Sequence, residues 1–593
     1  MSRLAAAALL AGALAFGSLA LRAAPDADPV VALTIDAATP RGRIVPIWDE
    51  VNLWKLYGLF GVQHARDRPP GWLRQALPWV RYGRTVAALG GNHAAAIAPW
   101  CDHGRTAPAH PYGSGGECGS GGVPGDAARN ELVRAIDGGQ VVDYAPLALA
   151  VGRLVASGVR PHLNLSAVPA AFTGGEVDFR HYHWNAAPVR DLDGWRTFVD
   201  GAFRALAPLD PAGWRISITN EANCLTLVGW QQHVEHVGYA GTPAEYARAF
   251  VATATAIHAA APGVRIHAGN YVTGATFPGE DNLAAYLSAL GAELAASDAL
   301  EWEDLTAVSL SLYETPDTTV WELVPVRVAR AAAAVAAAGL APHPFKVDEL
   351  EVHPEIGRAF ERRTGTPLDP TLWAASWHAE ALRDLVADGR VVSVAPWLER
   401  LLGLTADGHT WRPFPKARVY ALFGLLAGQL RAVAGPHGVE LVETGDEDGL
   451  PRLAVAGTRP VAPDLPRRRL RRAAAVTALA TRTGEGLRAL VVHHRGWPIA
   501  DRDQARRRHA RTLRLDARGL PPGAYAVRRL AVGGPGGAAW NGGRPAELAW
   551  HDLGCRTVEG DSLALVAPAW MEANTVWLIE AARRARCPEG SDG

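Results

Sequence analysis

Between about residues 140 and 425, helical patterns hand over again and again to short apolar runs. Residues 143–157 have helical spacing and 160–165 read as a strand; 195–206 and 214–219 repeat the pair. Thr242, with Pro243 in the first turn and Glu245 three residues on, forms a capping box for a helix to about residue 260. A strand at 264–268 follows it, and another lies at 307–312. A helix at 326–338 then leads into a strand at 345–350, and a helix at 372–387 into a strand at 391–395. Strands this short and apolar are buried on both faces, as in a parallel sheet covered by helices. Regular alternation of this length predicts an α/β fold, a (β/α)8 TIM barrel over about residues 40–428. Its first two strands must lie between about residues 43 and 100.

Beyond about residue 430 the helical period stops. Short β-type runs at 439–442, 453–455, 487–493, 525–532, from 557 onward and at 575–579 are separated by Gly, Pro, Asp and Asn. This predicts an accessory C-terminal β-sandwich domain over 429–585, which a strand at 29–37 can join, with a tail at 586–593. The basic stretch 466–472 reads as a solvated loop. The Gly-rich stretch 113–125 has no strand before it and no helix cap after it, so it is a loop and not a phosphate cradle.

Charge excludes some partners. Lys+Arg 59 against Asp+Glu 60 leaves a net charge of −1, which gives no reason to expect nucleic acid. The cations are almost all Arg, with Lys only at positions 55, 346 and 416, so Arg runs reflect composition. Twenty Trp against 12 Phe is unusual, and the indole suits stacking on sugar rings. The early group Trp48, Trp54, Trp72, Trp79 and Trp100 reads mainly as core packing. Residues 1–24 read as a signal peptide: Arg3, an apolar run at 4–16, then Ser18-Leu19-Ala20. The expectation is a secreted or periplasmic protein with no membrane segment after cleavage. In such a compartment Cys101 with Cys118, and Cys555 with Cys587, are the candidate disulfides, with Cys224 left over.

Two carboxylates stand at the ends of expected barrel strands: Glu221 after strand 4, preceded by Asn220, and Glu349 on strand 7. Barrel active sites are built at the C-terminal strand ends, so both face one pocket. Paired carboxylates are what glycosidic cleavage needs, one protonated for the leaving oxygen and one ionised for the anomeric carbon. Asn220 suits a hydrogen bond to the sugar 2-hydroxyl. Period-2 alternation turns Asp348 to the other face and makes Glu351 a rival nucleophile. Glu221 is expected to have a raised pKa and Glu349 a low one. His181-Tyr182-His183-Trp184 has metal-like spacing with His162 nearby, but a sugar subsite is the better reading. Neither a metal nor a cofactor is expected, and no Gly-x-Ser-x-Gly elbow exists.

Four segments in order resemble glycoside hydrolase family 39, of clan A. They are Gly158-Val159-Arg160-Pro161-His162-Leu163-Asn164-Leu165 with Pro169-Ala170, and Ile218-Thr219-Asn220-Glu221-Ala222-Asn223 with Trp230. Leu310-Ser311-Leu312-Tyr313 and Lys346-Val347-Asp348-Glu349 complete the set, and the resemblance covers roughly residues 45–430. It implies a retaining double displacement with Glu221 as acid/base and Glu349 as nucleophile. It further implies that Tyr313 hydrogen-bonds the nucleophile and that Trp397 is a sugar platform; His162 is counted with them as substrate-binding. Ala222 stands where the family usually has Pro, and Leu350 where it has Trp. The usual early Arg-x-His-Gly is absent, leaving Arg81 or Arg84 for that place. The expected activity is a retaining glycoside hydrolase on a β-linked oligo- or polysaccharide. The rivals are a non-catalytic carbohydrate-binding or scaffold protein on the same barrel, and an internally cutting hydrolase of exopolysaccharide.

Overall fold

The computed structural model describes residues 30–55, 69–89, 132–136, 139–176, 178, 185–228, 234–273, 282–314, 324–352, 361, 367–404, 411–434, 441–444, 469–472, 475–484, 486–494, 510–534, 548–558 and 560–588. The expected signal peptide, the Cys101–Cys118 loop and the segment 181–184 lie outside them.

Eight parallel strands follow one another round a ring. Strands 1 to 4 are Glu50–Lys55, Tyr82–Ala88, Arg160–Ser166 and Arg215–Ile218. Strand 5 is split at His267 into Arg265–Ile266, which pairs with strand 4, and Ala268–Val272, which pairs with strand 6. Strands 6 to 8 are Val308–Glu314, Phe345–Val352 and Val391–Val394. Strand 8 returns to strand 1 through Val394 N to Ile47 O (2.6 Å), Asn52 N to Pro396 O (2.8 Å) and a parallel bridge between Asn52 and Trp397. The helices outside bury one face each. On Leu192–Leu206 that face is Trp195, Phe198, Val199, Ala202, Phe203 and Leu206, the 3.6-residue period, with Asp191 capping Gly194 N at 3.0 Å. Thr242 and Glu245 form the capping box of Pro243–Ala260. Trp48 and Trp72 lie in the apolar core, and Trp79 stacks on Tyr420 at 4.8 Å.

Outside the barrel, nine strands join one hydrogen-bonded sheet instead of two separate ones. In it Gln429–Ala434 lies beside Val30–Arg43, the strand that precedes the barrel; Val30–Arg43 pairs in parallel with Arg511–Arg518, and every other pairing is antiparallel. Period-2 alternation gives the sheet two buried faces. Leu490, Val492, Leu530, Val532, Val576 and Leu578 join the barrel's core, while Ala489, Val491, Ala531, Trp577 and Ile579 belong to a second core. Part of the stretch expected to be a basic loop, Arg469–Arg472, is a strand paired with Leu441–Thr444. Cys555 and Cys587 form a disulfide, and Cys224 is a buried thiol.

Gly83, on strand 2 beside Arg84, sits where this packing leaves little room for a side chain. A Cβ there would lie 2.8 Å from Leu53 Cδ1, 2.9 Å from Val159 Cγ2 and 3.2 Å from Leu154 Cδ1. Gly83→Ala is expected to destabilise the fold by about 1–3 kcal/mol through overpacking. A denaturant midpoint equal to that of the unmodified protein would show that these side chains yield without cost.

Candidate active site

Strand 4 ends in a run of strained backbone. Thr219 and Glu221 have φ of 63° and 49°, and Ala167, after strand 3, has 60°. Left-handed backbone is costly for side-chain-bearing residues, most of all a β-branched one, and persists where surrounding bonds over-determine it. Those bonds are present. Thr219 N reaches Leu165 O at 2.8 Å, Asn220 N reaches Ser166 Oγ at 2.8 Å, and Glu221 N reaches Asn270 Oδ1 at 2.8 Å. Ala222 N bonds Asn270 O at 2.9 Å, and Asn223 clamps Val272 through both its amide atoms at 3.2 and 2.9 Å. Glu221 is thereby turned inward, 4% exposed.

Arg84 meets it from strand 2. This guanidinium is fully buried and donates to Glu349 Oε1 at 3.0 Å and to Asn220 Oδ1 at 2.5 Å; its Nε lies 3.3 Å from Asp348 Oδ2. Of the two arginines the sequence left open, Arg84 is therefore the one in the site, while Arg81 is exposed. Glu349 Oε2 accepts from the Tyr313 hydroxyl and from Trp397 Nε1 at 3.1 Å. Asn220 Nδ2 is buried with no hydrogen-bond partner among the described residues.

Asp348 corrects the alternation argument. Leu310 is opposite Val347 and Ser311 is opposite Glu349, so Asp348 is the extra residue of a β-bulge. The bulge shifts the parity, and both Asp348 and Glu349 face the barrel interior. A second bulge, at Gly269 (φ 70°), sets the register of Asn270 on strand 5. Glu351 is not the rival nucleophile: its carboxylate is held by Lys416 at 3.2 Å, Arg400 at 3.4 Å and His378 at 3.5 Å. It accepts from Trp397 N at 3.1 Å and so fixes the Trp397 backbone.

His162 is a further correction. It is fully buried below the carboxylates, with Nδ1 2.6 Å from Glu50 Oε1 and Nε2 2.6 Å from Ser217 Oγ. Both ring nitrogens are engaged inside the protein, so it belongs to the barrel interior and not to the cleft.

No family model matches the sequence, and no curated protein is similar to it. Solved structures are. The GH39 enzyme from Xanthomonas axonopodis pv. citri has a TM-score of 0.57 at 14% identity, over 95% of this chain and 100% of that one. A monomeric beta-xylosidase from Caulobacter crescentus gives 0.56 at 16% identity, over 94% and 100%. A bacterial orthologue of human α-L-iduronidase gives 0.54 at 12% identity, over 93% and 84%. The fold is that of the family 39 glycoside hydrolases.

Burial pushes Glu349 up to about 7; Arg84 opposes it, the charge of Glu221 adds to it, and the Tyr313 hydrogen bond opposes it again. This reverses the expectation of a low Glu349, because desolvation outweighs the donors. Burial and the charge of Lys346 press His162 down to about 4, so it is neutral near pH 7. Burial raises Asp348, but Lys346, His162 and Arg84 outweigh it and hold the group well below the carboxylate range. Glu351 is likewise held low against burial, by Lys416 and Arg400. Among the described residues no cluster of His, Cys, Asp and Glu is arranged to hold a metal.

Sequence reading missed Asn270, Lys346 and Lys416. A signal for the two lysines existed, since only three occur in the chain and both of these are buried among carboxylates.

The turn bearing Glu221 depends on close approach of a second loop. Gly238 N bonds Cys224 O at 2.9 Å, and a Cβ on Gly238 would overlap the Glu221 carbonyl. Gly238→Ala is expected to displace the Glu221 peptide and lower the melting temperature by several degrees, roughly the effect of 1–3 kcal/mol. An unmoved Glu221 in a crystal structure of this variant would show that the loop, not the turn, gives way.

Proposed function

We propose that this protein is a retaining glycoside hydrolase of a β-linked oligo- or polysaccharide, with Glu349 as nucleophile and Glu221 as acid/base. The observation that carries the reading is the donor set on Glu349. Arg84 aims at one of its oxygens, and Tyr313 and Trp397 at the other. A guanidinium and an indole N–H can only donate, so these positions suit an ionised carboxylate.

In the proposed reaction an oxygen of Glu349 bonds to the anomeric carbon as the glycosidic C–O bond breaks. The bonding pair goes to the leaving oxygen, which takes the proton of Glu221. Glu221, now a carboxylate, removes a proton from the water that attacks the same carbon and expels Glu349. Glu221 and Glu349 would lie roughly 5–5.5 Å apart for this course. The Nδ2 of Asn220, buried with no hydrogen-bond partner among the described residues, would bond the sugar 2-hydroxyl. Trp397, ordered by Glu351 and capped by Arg400 at 4.6 Å, would be the platform.

The names of the fold neighbours choose the first assays, β-xylosides and then α-L-iduronides. The same proposal takes residues 40–428 as the catalytic barrel and the nine-stranded sheet as an accessory domain folded over into a sandwich. It takes the protein as exported, which the Cys555–Cys587 disulfide supports.

Two outcomes test the roles. Glu349→Ala is expected to lose turnover almost completely, while Glu221→Ala falls roughly 10²–10⁴-fold on poor leaving groups. With dinitrophenyl glycosides, azide restores Glu221→Ala and yields a β-glycosyl azide of retained configuration. Azide rescue of Glu349→Ala instead, with inversion, would reverse the roles.

The pH profile follows from Glu349. Only its ionised form attacks, and its affinity for a proton is raised to about 7. The acid limb of kcat/KM is therefore expected near pH 7, falling about tenfold per unit below it. A limb near 4.5, the ordinary glutamate value, would show that the donors cancel the effect of burial.

A further inference from the structure

Beneath the two catalytic glutamates the charges of the barrel interior come out even. The cations are Arg84, Arg215 and Lys346; the anions are Asp49, Glu50 and Asp348. Arg215 pairs with Asp49 at 3.3 Å and with Glu50, and Lys346 bridges Glu50 at 3.0 Å and Asp348 at 2.5 Å. His162 is neutral. Arg84 is thus already matched, by Asp348, before Glu349 and Glu221 are counted.

We infer that Asp348 is a positioning residue that keeps Arg84 paired and oriented whichever charge Glu349 carries, and so sets how readily Glu349 gives up its negative charge to the sugar. This rests on the reading of Glu349 as nucleophile. When Glu349 bonds the anomeric carbon and the leaving group departs with the electron pair and the proton of Glu221, the carboxylate becomes a neutral ester. Arg84 is fully buried and cannot lose its own proton, so without Asp348 it would have no carboxylate in direct contact at that moment, the negative charge having passed to Glu221. The bulge gives the strand this ability, since it places Asp348 and Glu349, adjacent in sequence, on the same guanidinium.

The groups facing Asp348 come from every side. From strand 1 they are Glu50, acting through Lys346, and Asn52, whose Nδ2 lies 3.4 Å from the Asp348 carbonyl. From strands 3 and 4 they are His162 and Ser217, whose hydroxyl is 3.2 Å from Asp348 Oδ2, with Arg215 beyond. Strand 5 adds neutral His267, strand 6 presents Tyr313 to Glu349, and Ser393 on strand 8 holds Asp49 at 2.8 Å. Among these described groups, Asp348 is the anion that touches Arg84 and is not consumed in the reaction.

The test is Asp348→Asn in the full-length protein, read by its kcat/KM pH profile on an aryl glycoside that the unmodified protein cleaves. Losing one negative charge beside Glu349 leaves it the one carboxylate in contact with Arg84 among the described residues. The acid limb is then expected to move down by about one pH unit or more, and kcat at the plateau to fall at least about tenfold because the ester is harder to form. A merely structural role would lower activity without moving the limb. Should Asp348→Asn fail to fold, the double variant Asp348→Asn/Lys346→Gln removes an opposite pair and keeps the net charge; its limb is expected to move the same way. A folded variant with an unmoved limb, or a limb moved upward, overturns the inference. An unmodified protein inactive on every glycoside sinks the function proposal, and this inference with it, whereas an active one with an unmoved limb in the variant sinks the inference alone.

Discussion

The interior cation Arg84 is the constraint around which this site is arranged. A guanidinium cannot be deprotonated in a protein, so once buried it must be met by acceptors; removing a partner from such a group costs about 3–5 kcal/mol. Here the acceptors come from Asn220 beyond strand 4 and from Asp348 and Glu349 on strand 7. One side chain therefore fixes the distance across the mouth of the barrel between the two segments that carry Glu221 and Glu349. The strained turn at 219–221 and the bulge at Asp348 are how the backbone meets that demand. Each departs from regular strand geometry at the place where two neighbouring side chains must both point inward.

Below this layer the barrel is filled with paired charges where a core would ordinarily be apolar. Glu50, Arg215, His162, Ser217, Lys346 and Ser393 satisfy one another with almost no solvent. Such pairs add little net stability, because their desolvation offsets most of their attraction. What they supply is a rigid, nearly neutral floor under the carboxylates. On that floor burial is the largest influence on the proton affinity of Glu349, with Arg84, Glu221, Tyr313 and Asp348 acting on it from close by.

Much of the barrel was legible because its signals are local. Capping at Thr242, the period of Leu192–Leu206 and the apolar runs of strands 3 to 8 all sit in windows of a few residues. The strand-end positions of Glu221 and Glu349 follow from the same pattern. The side to which Asp348 turns does not, because a bulge is fixed by the register of two strands 38 residues apart (310 to 348) and leaves no mark on either alone. His162 was misplaced for a related reason: a strand residue's depth in the barrel depends on stagger, and its partners Glu50 and Ser217 are 112 and 55 residues away. The sheet beyond the barrel was seen as strands but not as one sheet, because its order runs through Val30–Arg43, whose pairing with Arg511–Arg518 spans almost the whole chain.

Lysine usage carries the same lesson at the level of composition. In a chain whose cations are almost all arginine, two of the three lysines are buried against carboxylates of the barrel. Lys346 reaches Glu50 and Asp348 with one nitrogen at 3.0 and 2.5 Å, and Lys416 reaches Glu351 and Asp369 at 3.2 and 3.4 Å. A compact ammonium can stand between two carboxylates that come from different directions; a planar fork is suited to two oxygens in its own plane. Arginine is used where the geometry is forked, as Arg84 is toward Glu349 and Asn220, and lysine where a point charge must fit. Lys346 and Lys416 each stand where one charge must meet two carboxylates, one of them on strand 7, that approach from different directions.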